Sequence, residues 1–259
     1  MVKNERMTSM KKLLLLILCL LSLGLTCAMA ETDPVIYTCG DYEYELLEDG
    51  TAVIYSYRGT ETDPIVPSEL DGHTVSAIGS FAFHWNKNLT SVILPDTITS
   101  IGRSAFSICD ALASIIIPEH VTLIGESAFQ SCDALASVSL PEGLQIIGAY
   151  AFYDCSSLTD INIPSSLVSI GENAFCSCKD LPPLVLPEGL TSLGPNAFSN
   201  CYFLKSVSLP ASLTSIGEDA FFLAYSVTIT VPRGSYAETY CSQNNLRFIY
   251  PDTADWLTD

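Results

Sequence analysis

The stretch CDALASVSLPEGLQIIGAYAFYD, residues 132–154, decides the fold. Val138 and Leu140 alternate with Ser137 and Ser139, which is the period of a half-buried strand. Pro141 ends that strand because it has no N–H to give to a ladder. Leu144 to Ile147 predicts a second short extended segment, closed by Gly148. Glycine at that point predicts a left-handed turn, a conformation it adopts without steric cost. Ala151-Phe152 predicts a tight corner, where the small Ala leaves room and the Phe ring fills the middle of a coil.

The same pattern extends in both directions. Glycine follows Ile or Leu at 79, 102, 125, 148, 171, 194 and 217, always 23 residues apart. Phenylalanine keeps the register at 83, 106, 129, 152, 175, 198 and 221, and proline at 95, 118, 141, 164, 187 and 210. Cysteine joins it at 109, 132, 155, 178 and 201, with Asn86 and Ala224 at the equivalent places in the first and last units. A fixed period of this length marks a solenoid, in which each coil buries its face on its neighbours. One coil buries roughly five aliphatic or aromatic side chains at ~1.5–3 kcal/mol each. Ordering its backbone costs ~1–2 kcal/mol per residue. A single coil therefore does not fold, and backbone ladders between coils must supply the rest.

The flanks predict caps. Tyr42–Leu46 and Ala52–Tyr57 enclose Asp49-Gly50, a favoured hairpin turn. Pro67 to Ile78 is about five residues longer than Pro95 to Ile101, and the extra length contains a second turn at Asp71-Gly72. At the far end Ser235-Tyr-Ala-Glu238 reads as a capping box that opens a short helix to about Asn244. Leu246 to Tyr250 reads as a last strand.

The first thirty residues differ from everything after them. Lys3, Arg6, Lys11 and Lys12 precede an apolar run from Leu13 to Leu25, followed by Ala28-Met29-Ala30. A basic start, a short apolar core and A-x-A predict a secretory signal peptide cleaved after Ala30. The apolar core is short for a bilayer, which takes ~20 residues, and no second such stretch follows, so no transmembrane span is expected in the mature chain. Of 259 residues, 29 are acidic and 11 basic, a balance of −18. Cleavage removes four basic residues and Glu5, which leaves −21. Such a charge excludes nucleic acid as a partner, since phosphates need a basic face.

The units Leu112–Phe129 and Leu135–Phe152 resemble the BspA-like leucine-rich repeat proteins. The stretches Ile65–Gly79 and Val231–Tyr240 resemble that family's opening coil and closing cap. The resemblance covers roughly residues 35–250. It implies a mainly β leucine-rich-repeat solenoid of about seven 23-residue coils, with a β-hairpin N-terminal cap and a short-helix C-terminal cap. The expected division is a signal peptide 1–30, a cap and opening coil 31–74, repeats 75–223, a C-terminal cap 224–250 and a tail 251–259. The resemblance also implies adhesion or binding to host or microbial surfaces. Nothing after Tyr250 resembles the wall-sorting signal of anchored relatives.

Signals for chemistry are weak. The five cysteines in register predict a column of inert buried thiols, because parallel side chains do not point at one another. Cys176 and Cys178 have no partner pair with zinc spacing, and His73, His84 and His120 are scattered, so neither a metal nor a cofactor is expected. Asp96, Glu119, Glu142 and Glu188 share the position after proline and predict an acidic row. Neighbouring rungs would set two such carboxyls at the ~5–5.5 Å of retaining glycosidases. An exposed row lacks the distinct environments that separate acid from nucleophile, so no catalytic residue is expected.

The outward face of the first strand remains. Alternation places Ser91 and Ile93, Ser114 and Ile116, Ser137 and Ser139, Asp160 and Asn162, Pro183 and Val185, and Ser206 and Ser208 toward solvent. Exposed Ile on adjacent rungs makes a patch rather than a scatter. The expected function is an extracellular or cell-surface module that binds a protein of the host matrix or of another microbe through this face. Two alternatives stand beside it: a carbohydrate-binding or structural component of the cell envelope, and a hydrolase using the acidic row.

Overall fold

A computed structural model describes residues 34–251. The expected signal peptide, 1–30, and the tail from 252 lie outside the described residues. The chain opens with an antiparallel meander of β1 (Tyr37–Cys39), β2 (Tyr42–Leu46) and β3 (Ala52–Tyr57). The Asp49-Gly50 hairpin is present as read, with Asp49 accepting from the N–H and hydroxyl of Thr51. The inserted turn at Asp71-Gly72 joins a second hairpin, β4 (Glu69–Leu70) with β5 (His73–Ile78). From β3 onward the chain winds as a parallel solenoid. The flanking segments extend the seven repeats to about nine turns.

Each coil has two strand sides and a corner. The second strand of the unit builds a sheet that runs without a break from β3 and β5 through β6 (Ser100–Ile101), β8 (Leu123–Ile124), β10 (Ile146–Ile147), β12 (Ser169–Ile170), β14 (Ser192–Leu193) and β16 (Ser215–Ile216). The first strand builds two separate sheets. One holds β7 (Ser114–Ile116), β9 (Ser137–Ser139) and β11 (Asp160–Ile161). The other holds β13 (Leu184–Val185), β15 (Ser206–Ser208), β17 (Thr228–Thr230) and β18 (Phe248–Ile249). The gap falls at Pro182-Pro183. Ala113, Ala136 and Thr159 each donate an N–H to the preceding coil, and Pro182 stands next in that row with none to donate.

The glycines correct one sequence expectation. None of the seven repeat glycines has a positive φ. They are required by packing: a Cβ built on any of them would lie 2.2–2.8 Å from its nearest atom, and from Gly102 onward that atom belongs to the backbone of the preceding coil. The left-handed turns fall two and six residues further on. In the central coils these are Ser127 and Ser131, Tyr150 and Asp154, and Asn173 and Ser177. A non-glycine residue there costs about 1 kcal/mol. The turns aim the corner N–H groups along the solenoid axis, so that Tyr150, Phe152 and Asp154 donate to Glu172, Ala174 and Cys176 of the next coil at 2.8 Å.

Inside the corner the repeat phenylalanines form one column from Phe83 to Phe221, with successive ring centroids 5.0–5.6 Å apart. Tyr57 of the N-terminal meander continues it, 5.1 Å from Phe83. The cysteines beside it are buried and unbridged. Each repeat thiol donates to the carbonyl of the preceding coil's Phe, as Cys155 does to Phe129 at 3.1 Å. Burial pushes the Cys109 and Cys155 thiols up to about 12. At the C-terminal end Ser235 caps α1 (Tyr236–Gln243) by accepting the Glu238 N–H. The Glu238 carboxylate accepts in return from Gly234, one residue before the position a capping box uses.

Candidate functional site

The first-strand side displays its outward residues in columns set by ladder register. Ile65 pairs with Ile93, Ile116 with Ser139, Val185 with Ser208, Ser208 with Thr230, and Thr230 with Ile249. Asn162 fills the rung after Ser139, one repeat on. The column is apolar at its N-terminal end, where Ile65, Ile93 and Ile116 are 66%, 59% and 73% exposed. It turns polar at Ser139 and Asn162, and carries one more exposed aliphatic at Val185. The parallel column holds Ser91, Ser114, Ser137, Asp160, Pro183 and Ser206, all at least partly exposed. Inward neighbours Val92, Leu94, Ile115, Ile117, Val138 and Leu140 are buried, which fixes the direction of every outward side chain.

Two of the polar side chains are already occupied. The Asn162 amide takes both backbone groups of Leu140, accepting from its N–H and donating to its carbonyl at 2.8 Å each. Asp160 accepts from the Ser137 hydroxyl at 2.9 Å. The middle of the face is thus tied to itself, while the isoleucine end is open. Ile65 was missing from the sequence reading of this face. Its signal was present, since Ile65-Val66-Pro67 repeats Ile93-Leu94-Pro95.

Beside the isoleucines runs an acidic rim. Asp96, Glu119 and Glu142 follow the prolines of three successive coils and are exposed; Ser165 interrupts the row before Glu188. Glu142 accepts from the N–H and hydroxyl of that serine at 3.2 and 3.0 Å. A groove of 290 Å³ lies between Ile93 and Ile116, bounded by Ser91, Ser114, Asp96 and Pro118. A second groove, of 370 Å³, runs from Ile116 past Pro118 to Glu119 and Glu142. The two share Asp96, Ile116 and Pro118, so the surface is one shallow channel with an aliphatic floor and a carboxylate edge. Such a surface suits an apolar segment carrying positive charge.

The histidines stand apart from this channel. His73 shares a hydrogen bond with the Gly50 carbonyl, His84 packs edge-on against Phe81, and His120 is exposed in its turn. Among the described residues no helix is long and apolar enough to cross a membrane, and no group of three or more His, Cys, Asp or Glu side chains converges on a metal-sized site.

Stacked parallel coils with a repeated interior and a variable outward strand define a leucine-rich-repeat solenoid. The chain belongs to the family described as BspA type leucine rich repeat region, whose profile matches in six copies over residues 68–181 and 122–247. Among solved structures it is similar to a T. pallidum leucine-rich repeat protein, at 28% identity and TM-score 0.54, covering 75% of this chain and 80% of that one. It is also similar to a leucine-rich repeat protein from Eubacterium ventriosum, at 28% identity and TM-score 0.60, covering 71% of this chain and 50% of that one. A leucine rich cell surface protein from Faecalibacterium prausnitzii aligns at 25% identity and TM-score 0.47, covering 80% of this chain and 85% of that one. No curated protein matches the chain.

Proposed function

We propose that this protein is a secreted or surface-exposed adhesion and interaction module, without catalysis, that binds a protein partner through the first-strand face. The observation that carries this reading is the run of Ile65, Ile93 and Ile116 on adjacent rungs beside Asp96, Glu119 and Glu142. A rigid backbone holds these side chains in place, so little ordering cost falls on the module when it binds. The partner contributes a basic, partly apolar segment, for which both the rim and the net charge, −21 once residues 1–30 are removed, are complementary. The basic start and A-x-A site of the first thirty residues support export, and the family supports an interaction role.

The test is a binding assay against purified extracellular-matrix proteins and surface proteins of co-resident microbes. The reading expects at least one specific partner, a loss of affinity of tenfold or more in the Ile93→Ser/Ile116→Ser variant, and weakening as salt shortens the Debye length below ~8 Å. Specific binding that ignores both changes would overturn it.

A further inference from the structure

The corner is the part of the coil whose backbone donors all face one way. In each of the first six repeats three N–H groups donate to the carbonyls of the following coil, as Asn196, Phe198 and Asn200 do to Glu218, Ala220 and Phe222. The seventh corner has no following coil. Asp219, Phe221 and Leu223 hold the same three positions, and among the described residues their N–H groups donate to nothing. The other two sides of the stack are closed at this end. The first-strand sheet continues into β17 and β18, and α1 packs against β16. The helix hydrogen-bonds the corner through the Tyr240 hydroxyl, which accepts the N–H of Ala220 and leaves the three donors unbonded; Tyr240 and Asn244 stand beside them.

The N-terminal end is finished differently. There the Tyr57 N–H meets the Ala82 carbonyl, and the Tyr57 ring covers Phe83. The uncovered C-terminal corner opens onto a cavity of 370 Å³ lined by Asp219, Phe221 and Leu223 together with Phe222, Tyr225 and Arg247. Phe222 is 52% exposed and Tyr225 79%. In the neighbouring repeat the positions equivalent to these two aromatics carry Ser199 and Tyr202, and in the third repeat Gln130 and Asp133. The hydrogen-bond chains of the corner align their peptide dipoles along the axis, with the positive end at these three N–H groups, so the cavity favours oxygen acceptors.

We propose that this corner is a second binding site, separate from the strand face, which takes a peptide main chain from a partner, turned as the repeat corners are, as an eighth corner. Donors on every second residue across five residues match a row of peptide carbonyls better than one compact anion, and the edge is completed as a sheet edge is completed by an added strand. Phe222 and Tyr225 flank the incoming side chains. A second copy of this chain is a poor occupant, because its own N-terminal end is covered by the meander and each copy carries −18.

The probe is the capped peptide GESAFQS, residues 125–131, whose Glu126, Ala128 and Gln130 carbonyls accept from a preceding corner within the fold. Titrated into the ¹⁵N-labelled protein, it is expected to shift the Asp219, Phe221 and Leu223 amide signals saturably. The Phe222→Ala/Tyr225→Ala variant, which alters only exposed side chains, is expected to bind it at least fivefold more weakly. Ile93→Ser/Ile116→Ser is expected to bind it unchanged, which separates this site from the strand face. Three results would overturn the proposal: no movement of the three amides at millimolar peptide, equal movement with sodium acetate at the same concentration, or full affinity in the Phe222/Tyr225 variant.

Discussion

The two strand sides of this solenoid are built from the same 23-residue unit and obey different constraints. On the second-strand side each glycine rests against the backbone of the coil below, and the sheet is continuous along the stack. On the first-strand side the sheet breaks at Pro182-Pro183, and the outward positions range over Ile, Ser, Asn, Val and Thr. Close approach of backbones leaves the second-strand side no latitude at its glycines. The other side is held from within by its buried Val, Ile and Leu residues, so its outer side chains are free to differ. The proposed binding surface lies on the first-strand side, where outer side chains can differ without loss of the fold.

The largest effect expected concerns the interior that both sides share. The repeat thiols are buried, with Cys109 and Cys155 pushed up to about 12 and Cys132 and Cys178 also raised. An unfolded thiol loses its proton near 8.5, so between roughly pH 9 and 12 the folded state holds protons that the unfolded state has released. Stability is therefore complete below that window and falls as pH rises through it. Denaturant midpoints measured from pH 7 to 11 check this; a flat profile would mean that the thiols are accessible.

Next comes a contrast between a glycine that closes the second strand and one in the turn between the two strands. In Gly148→Ala the new methyl group would lie 2.8 Å from the Gly125 carbonyl carbon, and the expected cost is about 3 kcal/mol. In Gly143→Ala, in the turn after Pro141, the nearest atom is the Glu119 carbonyl oxygen at 3.3 Å, and the expected cost is under about 1 kcal/mol. Equal costs in urea melts would erase the contrast. The smallest effect belongs to the gap in the first-strand sheet. Replacing Pro182 by Ala and Pro183 by Ser restores donors worth about 1 kcal/mol each, but returns similar freedom to the unfolded chain. The net change expected is under about 1 kcal/mol. A large change would show that this side is constrained after all.

Much of this was legible in the sequence because periodicity reports packing. The register of Leu, Phe, Cys and Pro located both strands, the corner and the buried thiols, and Asp49-Gly50 and Ser235 located the caps. The left-handed turns were not legible, since Ser127, Tyr150, Asn173 and Asp219 share no residue type; the corner takes this shape where its carbonyls meet the N–H groups of the preceding coil. Glycine was misread for a related reason, because closeness to a neighbouring backbone leaves no local signature. Part of the candidate site was legible as alternation around Ile93 and Ile116. The engagement of Asn162 with Leu140 was not, because it depends on a side chain crossing to another coil.

One measurement tests the central claim that the two sides divide structure from recognition. A photo-crosslinking residue is placed in turn at Ile116, on the first-strand face, and at Leu123, exposed on the second-strand face of the same coil. With a partner identified by the binding assay, the account predicts covalent capture from position 116 and none from position 123. Capture from 123 with none from 116 would contradict it.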